Sequence, residues 1–378
     1  MKVLFVYTRT EDMLEVSGEA KKILMQIDAL KNNGVDAKII YHNRVSKVNK
    51  ILVRIPFYSI YGKPFRKLIE REINAESYDA VYFRKYVIDS SFLHLIKFLR
   101  SRHPSIKILL EIPTFPYDLE WSSLIDQPLL IKEKIYRKRL NKYIDRIITF
   151  SDDVSIFGVK TIQTSNGIDL NKIKRRNLDY IENDNINLLG VACVEKWHGY
   201  DRLIQGIHNY YQDKRKDKRN IIFHIVGDGF EIPMLKRMVK SLSLDDHVVF
   251  YGSLYGQALD EKFNSCAIGV GSLGMRRIGL TKGYTLKLRE YTARGIPFIY
   301  AYDDILIERS INDFYIKYPN NDSPIDMDKL ISFYDHMQSI GFDEVATKMR
   351  TAASKYLTWE TQMRSIADYI NKIDKGEK

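Results

Sequence analysis

The stretch from Thr281 to Phe298, TKGYTLKLREYTARGIPF, holds a single acid among several cations. The acid is Glu290, and the neighbouring cations are Lys282, Lys287, Arg289, Arg294 and, just upstream, Arg277. One carboxylate within so much positive charge suits either a set of surface ion pairs or the binding of an anionic ligand that also carries hydroxyl groups. The spacing of these residues decides which of them act together.

The pattern predicts a helix over Leu286–Arg294, with Thr285 at its N-cap and Gly295 at its end. At 100° per residue, Glu290 lies on the same face as the cations three residues before it and four residues after it. Two interpretations stay open. In one, the three side chains form intrahelical ion pairs worth ~0.2–0.5 kcal/mol each. In the other, Lys287 and the first N–H groups bind a diphosphate, while Glu290 accepts hydrogen bonds from ribose hydroxyls.

Other loops that follow predicted strands also carry residues suited to phosphate. They are Gly18 in VSGEAKK, Gly227 and Gly229 in VGDGF, and Lys196, His198 and Gly199 in EKWHGYDR. Glycines let a ligand approach the backbone, and cations at a helix start favour an anion. A plain helix start, a tight turn or a packed tryptophan beside a histidine cap would also explain them. The G-x-G-x-x-G fingerprint is absent, which counts against a nicotinamide dehydrogenase.

Strand-like and helix-like segments alternate along the chain and predict an α/β protein with parallel sheets. At 378 residues, two domains are expected. We assign residues 1–170 to the first domain, 171–186 to a polar linker, 187–353 to the second domain and 354–378 to helices that cross back to the first. The expected architecture is two Rossmann-like, doubly wound domains that face each other across a cleft.

The composition is that of a globular protein, with 45% hydrophobic and 28% charged residues. The two cysteines, Cys193 and Cys266, exclude a disulfide framework. The amino terminus lacks a signal-peptide core, and no uncharged apolar run approaches the ~18 residues of a membrane span. We therefore expect a cytoplasmic protein.

The net charge of +11 is concentrated in the first half of the chain. Residues 37–69 contain many cations and no acid. A second basic run, IKEKIYRKRLNKYIDR, spans residues 131–146. Because these cations alternate with aliphatic and aromatic residues, we expect them to face an anionic membrane surface. Nucleic acid is the competing partner, and a merely solvated basic surface is the simplest alternative.

Several elements in order resemble the family 4 retaining glycosyltransferases, which have the two-domain GT-B fold. KGYTLKLREYTARGIP resembles the family pattern E-G-F-G-L-x-x-x-E-A-x-A-x-G-x-P. Glu290 matches its second glutamate, which implies a contact with the donor ribose, and Leu286 matches the leucine beside the donor phosphates. SNGIDL, HIVGDG and TWETQM resemble three further family elements. A variant branch with W-H-G-Y-D-R and L-K-x-R-E-Y, similar to bacterial enzymes of capsule, exopolysaccharide and O-antigen synthesis, fits better still.

The chain departs from the family pattern at the donor phosphates. Lys282 replaces the first family glutamate, while the family's basic pair falls on Cys193 and His198. We therefore expect Lys282, Lys287, Arg277 or His198 to neutralise the diphosphate, with Lys287, His198 and Lys282 in catalytic roles. In the first domain, Pro113 replaces the family histidine. In the loop EIPTFPYDLEW we expect acceptor contacts from Glu111, Tyr117, Asp118 and Glu120, although each could instead be structural.

The resemblance implies a nucleotide-diphosphate-sugar donor, a polyprenyl-linked glycan acceptor and transfer with retention at the anomeric carbon. It requires no cofactor and no metal, and we interpret the Asp326–Asp328 motif DMD as a helix start. A nucleotide-sugar epimerase, a nucleic-acid-binding protein and a non-catalytic partner subunit are the alternatives.

Overall fold

The computed structural model describes residues 1–7, 18–41, 52–55, 58–59, 63–118, 125–180, 185–214 and 217–372. The chain forms two compact units. Unit 1 comprises Met1–Ser165 with Trp359–Lys378, and unit 2 comprises Asn166–Thr358. Each unit is a parallel sheet flanked by helices, which confirms the predicted fold class.

Unit 1 has a seven-stranded sheet in the order β2-β1-β3-β4-β5-β7-β6, parallel except for the pair β6 and β7. Its strands are β1 Lys2–Tyr7, β2 Asp36–Tyr41, β3 Ala80–Arg84, β4 Lys107–Ile112, β5 Arg146–Thr149, β6 Ser155–Ile156 and β7 Val159–Gln163. Its helices are α1 Gly18–Asn32, α2 Lys63–Ala75, α3 Ser90–Arg102, α4 Gln127–Tyr136 and α12 Trp359–Asn371, with a 3-10 turn at Arg137–Lys142. The continuous apolar strands β1, β3 and β4 are buried because helices cover both faces.

Unit 2 has a six-stranded, wholly parallel sheet in the order β10-β9-β8-β11-β12-β13. Its strands are β8 Asn185–Val191, β9 Asn220–Val226, β10 Val248–Gly252, β11 Ile268–Val270, β12 Phe298–Tyr300 and β13 Tyr315–Lys317. Its helices are α5 Tyr200–Gln212, α6 Ile232–Ser241, α7 Gly256–Ser265, α8 Leu286–Arg294, α9 Ile305–Ser310, α10 Met327–Ile340 and α11 Phe342–Tyr356. The strand order reverses between β8 and β11, which creates a crevice at their carboxyl ends.

The segment 171–186, expected to be a linker, lies inside unit 2. Arg176 is only 2% exposed and donates to the carbonyl of Cys266 at 3.0 Å. Arg350 donates to the carbonyls of Leu170 and Ile173 at 2.8 and 2.7 Å. The polar composition suggested a linker because the partners of this segment, Cys266 and Arg350, are distant in sequence. The chain instead passes between the units at Ser165/Asn166 and Thr358/Trp359.

The predicted carboxyl-terminal segment 354–378 is also divided differently. Helix α11 continues to Tyr356 within unit 2, and α12 begins at Trp359 in unit 1. Trp359 and Met363 are buried with the apolar face of α1. Lys107 donates to the carbonyl of Tyr369 at 2.9 Å, so a cation stabilises the carboxyl end of α12.

Arg289, one of the cations in the stretch Thr281–Phe298, is a core residue. Its guanidinium pairs with both carboxylate oxygens of Asp304, and both side chains are 0% exposed. Asp304 also caps α9 by accepting from the backbone N–H of Ile307 at 3.2 Å. This buried pair ties α8 to the start of α9.

We predict that Arg289→Met lowers the free energy of unfolding of unit 2 by about 3–5 kcal/mol, because Asp304 then remains buried and unpaired. Urea unfolding followed by tryptophan fluorescence measures the loss. Arg289→Met/Asp304→Asn should recover most of it. The control Arg175→Met, which breaks the exposed pair with Asp343, should lose at most about 1 kcal/mol. Equal losses in the two single variants would contradict the prediction.

Candidate functional site

The candidate site lies at the carboxyl ends of β8 and β11 in unit 2, where their two loops join through backbone hydrogen bonds. The N–H of Leu273 donates to the carbonyl of His198 at 2.8 Å, and that of Gly274 to Trp197 at 3.1 Å. Gly199 has φ +61°, and a Cβ there would stand 2.7 Å from the nitrogen of Gly274. Gly199 is therefore required for this junction, and a ligand is not needed to explain it.

The amino end of α8 opens at this site without a side-chain cap. Thr285 occupies the N-cap position as predicted, but its hydroxyl lies 2.6 Å from the hydroxyl of Tyr302. The N–H groups of the first turn thus lack the partner that Thr285 was expected to supply. Leu286, the first residue of α8, is 48% exposed. Uncapped N–H groups together with the helix dipole make this end attractive to an anion.

Lys287 places a cation beside those N–H groups. Its Nζ lies 3.0 Å from the hydroxyl of Tyr200 and 5.3 Å from the centroid of that ring. Of the residues that the structure describes, no carboxylate pairs with it, and the expected ion pair with Glu290 does not form. Burial lowers the pKa of Lys287 to about 7, because the ammonium loses water without gaining a counter-ion. An anion bound at α8 would supply that counter-ion.

His198 is buried next to Lys287. The backbone N–H of Glu195 donates to its Nδ1 at 3.0 Å, which leaves the proton of the neutral ring on Nε2. Burial and, secondarily, the charge of Lys287 lower the pKa of His198 to about 3. The ring is therefore neutral in the free protein near neutral pH, and a positive charge on His198 beside a bound diphosphate stays a prediction. In its neutral form the ring offers an Nε2–H donor.

Arg277 was also expected to neutralise the diphosphate, but its charge is already compensated. It donates to both oxygens of Asp201 at 2.7 and 2.8 Å and to Asp322 at 2.8 Å. These carboxylates raise the pKa of Arg277 above its usual value. The same guanidinium donates to the carbonyl of Lys196 at 3.1 Å, so Arg277 positions the loop after β8. A contact of Arg277 with the diphosphate stays a prediction.

The side chains of Lys196 and Lys282 are exposed at the same edge of unit 2. Lys196 belongs to the turn that carries His198, and Lys282 pairs through its backbone with Asp303. Lys282 lies in the loop that leads into α8 and Lys196 in the loop after β8, and their contact with a phosphate stays a prediction.

Glu290 lies one turn further along α8 and is about one-third exposed. Arg294 donates to its Oε1 at 3.0 Å and also pairs with Asp260 at 2.8 Å. The predicted ion pair four residues along the helix therefore forms. Among the described side chains no other contact engages Glu290, so its Oε2 remains able to accept hydrogen bonds from a ligand.

Gly227 and Gly229 are explained by packing of the protein on itself. Their φ angles are +121° and +157°. A Cβ on Gly227 would stand 1.8 Å from the carbonyl oxygen of Ala192, and one on Gly229 would stand 2.3 Å from that of Val194. These glycines allow the turn after β9 to press against the loop after β8. The predicted approach of a ligand is not needed to account for them.

The acceptor-side expectations fail for Glu111. It is 0% exposed at the end of β4, where it accepts from Tyr82 at 2.6 Å, from Gln26 at 3.0 Å and from Arg84. Arg84 opposes the effect of burial and keeps the pKa of Glu111 below its usual value. Glu111 is thus a buried, compensated charge of unit 1. The residues on either side of Glu111 in the sequence are hydrophobic and gave no indication of these distant partners.

Tyr117 and Asp118 are likewise engaged within unit 1. Tyr117 is 3% exposed, with the Nζ of Lys85 3.8 Å from its ring centroid. Arg137 donates to both oxygens of Asp118 at 2.6 and 3.0 Å. Tyr117 is thus packed inside unit 1, whereas Asp118 is 35% exposed and its contact with an acceptor stays a prediction. Gly18 begins α1, while the loop before it and Glu120 lie outside the described residues.

Sequence reasoning missed three residues that shape the site. Tyr200 holds Lys287, and Tyr302 engages the hydroxyl of Thr285. Asn166 donates from Nδ2 to the carbonyl of Tyr284 at 2.5 Å, directly before α8. Tyr200 and Asn166 stand within W-H-G-Y-D-R and SNGIDL, so the motifs contained them without indicating their contacts.

No metal site is evident in the described part of the chain. No group of three or more histidine, cysteine or acidic side chains is arranged to hold an ion there. Asp326 caps α10 by accepting from the backbone N–H of Lys329 at 3.1 Å, which is the helix start that the DMD motif predicted.

Comparison with known proteins gives matches in structure only. No family model and no curated protein matches the sequence. A glycosyltransferase from Rickettsia africae has a TM-score of 0.64 at 15% identity, covering 100% of this chain and 99% of that one. Sucrose-phosphate synthase from Thermosynechococcus elongatus has a TM-score of 0.64 at 12% identity, covering 97% and 98%.

Anabaena Alr3699/HepE in complex with UDP has a TM-score of 0.64 at 14% identity, covering 99% of this chain and 100% of that chain. The likeness thus extends over essentially the whole length of all three proteins. The chain has the two-domain GT-B fold of these solved glycosyltransferase structures.

Proposed function

We propose that the protein is a retaining glycosyltransferase that takes its sugar from a nucleotide-diphosphate sugar. The observation that carries the proposal is the amino end of α8, where N–H groups not capped by Thr285 adjoin Lys287, a partly buried cation that pairs with no carboxylate in the described part of the chain. In the same fold, HepE has been solved with UDP and with UDP-glucose. A diphosphate supplies the charge and the acceptors that this end of α8 lacks.

The residues at α8 suit departure of a diphosphate. As the bond between the anomeric carbon and the β-phosphate oxygen breaks, negative charge grows on the leaving group. The first N–H groups of α8 and Lys287 stabilise that charge, and Glu290 holds the ribose through its hydroxyls. The acceptor oxygen bonds to the same face of the anomeric carbon, and its proton passes to the departing phosphate. This front-face route needs no protein nucleophile and no metal.

We propose a lipid-linked glycan, carried on a polyprenyl diphosphate, as the acceptor in bacterial surface polysaccharide synthesis. The sequence segments described above resemble those of bacterial enzymes of capsule and exopolysaccharide synthesis. The basic surface of unit 1 would hold the enzyme at the cytoplasmic face of an anionic membrane. No helix in the described ranges is long and apolar enough to cross a bilayer. Much of the basic stretch 37–69 lies outside the described residues.

The first test is nucleotide binding by Lys287. We predict that Lys287→Met weakens UDP binding about ten- to hundredfold, because one charge-assisted contact with the diphosphate is lost. Isothermal titration calorimetry measures the affinity after a thermal-shift comparison of nucleoside diphosphates has identified the preferred base. The control Lys348→Met, which removes a cation paired with Glu344 on α11, should bind normally. Equal affinities would remove Lys287 from the site.

The second test is the pH dependence of that binding. The pKa of Lys287 is about 7 in the free protein, far below the ordinary lysine value of 10.5, and a bound diphosphate must raise it. Binding therefore takes up a proton above pH 7, and affinity should fall as the pH rises from 7 to 9, by at most about tenfold per unit. Lys287→Met should lack this decline. A decline of the same slope in the variant would assign it to another group.

The third test concerns Glu290 and the ribose. We predict that Glu290→Gln lowers affinity for UDP about tenfold but leaves affinity for 2′,3′-dideoxy-UDP unchanged, because the carboxylate accepts only from the missing hydroxyls. Competition against a fluorescent nucleotide gives both values. Asp260→Asn, which also removes a carboxylate partner of Arg294, should retain the preference for ribose. Loss of that preference in Asp260→Asn alone would make Glu290 only an ion-pair partner.

Incubation of a nucleotide sugar without acceptor distinguishes transfer from epimerisation. A transferase should return the donor unchanged apart from slow hydrolysis, whereas an epimerase would convert it to a second sugar. Detection of an epimer by chromatography would overturn the proposed reaction while leaving the donor site in place.

A further inference from the structure

Helix α4 in unit 1 buries charged side chains and exposes aliphatic ones. Lys132 and Glu133 are 4% and 0% exposed, whereas Ile131 and Ile135 are 58% and 56% exposed. The helix also buries Leu129 and Leu130, as an ordinary surface helix would, but these two charges and two isoleucines are placed in the reverse sense. A single exposed isoleucine is common and needs no explanation. Buried charges together with exposed isoleucines on the same helix are unusual and do need one.

The buried lysine prevents α4 from rotating about its axis. The Nζ of Lys132 donates three hydrogen bonds, of 2.7, 2.7 and 2.9 Å, to the carbonyls of Val53, Ile55 and Tyr58. An ammonium has three donors, so each is used here. Rotation that buried Ile131 would remove all three contacts.

The buried glutamate fixes the same orientation from the other side. Glu133 pairs with Lys85 at 3.1 Å and accepts from the backbone N–H of Ile88 at 3.0 Å. A buried carboxylate without these partners would be strongly unfavourable. Since both charges are bound specifically, the exposure of Ile131 and Ile135 is built into the fold.

Two more exposed isoleucines lie at the start of this surface. Ile55 and Ile125 are 46% and 66% exposed, and Arg54 connects their segments by donating to the carbonyl of Ile125 at 3.2 Å and to Asp126 at 2.9 Å. We call this set the isoleucine face; its members are Ile55, Ile125, Ile131 and Ile135.

The charges around the isoleucine face are positive. The acids nearest to it are engaged, since Asp126 pairs with Arg54, Asp118 with Arg137 and Lys134, and Glu133 is buried. Three exposed cations follow α4 in the 3-10 turn Arg137–Lys142, and none of them pairs with an acid among the described residues. They are Lys138, Arg139 and Lys142.

We infer that the isoleucine face docks on an anionic lipid bilayer, with its isoleucines inserted among the acyl chains and the cations at the headgroups. Aliphatic side chains surrounded by lysine and arginine fit that interface, because one part gains from leaving water and the other from negative lipid. A second copy of the chain would present the same cations to one another and is disfavoured. The inference deepens the proposed function, resting on its placement of the acceptor at a membrane.

The test is flotation of the full chain with vesicles. The wild-type protein should bind vesicles of phosphatidylcholine with phosphatidylglycerol, and bind phosphatidylcholine alone at least about tenfold more weakly. Ile131→Ser/Ile135→Ser should lower partitioning at least about tenfold, and Lys138→Glu/Lys142→Glu should do the same and reduce its salt dependence. The matched control Val154→Ser, which replaces another exposed aliphatic residue of unit 1, should bind as the wild type does.

Several results would overturn the inference. They are equal vesicle binding by wild type and the isoleucine variant, equal binding to neutral and anionic vesicles, and a concentration-dependent dimer that the isoleucine variant abolishes in sedimentation. UDP titration of the same variants separates the two proposals. Normal UDP affinity with lost vesicle binding supports the docking face. Normal vesicle binding without UDP binding would instead contradict the donor site in unit 2.

Discussion

The candidate site depends on a difference in hydrogen bonding between the two ends of α8. At the carboxyl end, Arg350 donates to the carbonyl of Ala293 at 2.8 Å, and the backbone N–H of Arg176 donates to that of Arg294 at 3.0 Å. Gly295, with φ +80°, closes the last turn. At the amino end the side chain of the N-cap residue Thr285 makes no capping hydrogen bond. The protein thus satisfies the negative end of the dipole internally, and the positive end is where we propose that a ligand binds.

The cations around the site divide into those already compensated and those that are not. Arg277 is paired with two carboxylates and Arg289 with a buried one. Among the described residues Lys287 contacts Tyr200 and pairs with no carboxylate, and its low pKa reflects the free energy lost by desolvating a charge without a counter-ion. A site prepared in this way interacts more strongly with an anion than exposed lysines do, because solvent screens it less.

The acidic residues of unit 1 named above also have their charges compensated by cations. Glu111, Asp118 and Glu133 all have cationic partners, and these ion pairs stabilise the scaffold of unit 1. Next to Glu133 on α4, the exposed side chains include the aliphatic Ile131 and Ile135 and the basic Lys134. The two units therefore present different surfaces, one with a positive helix end for a small anion and one with isoleucines beside cations.

The sequence by itself determined the α/β class, the two parallel sheets and the bounds of α8, because these follow from local periodicity and from the conformational preferences of threonine and glycine. It also indicated the helix on which Lys287 and Glu290 lie. Only the tertiary structure decided which charges are compensated. Arg277 donates to Asp322, Gln26 to Glu111 and Lys132 to the carbonyl of Val53. The partners are 45, 85 and 79 residues apart in the chain. Such pairings depend on how sheets and helices pack, and short-range spacing carries no information about them.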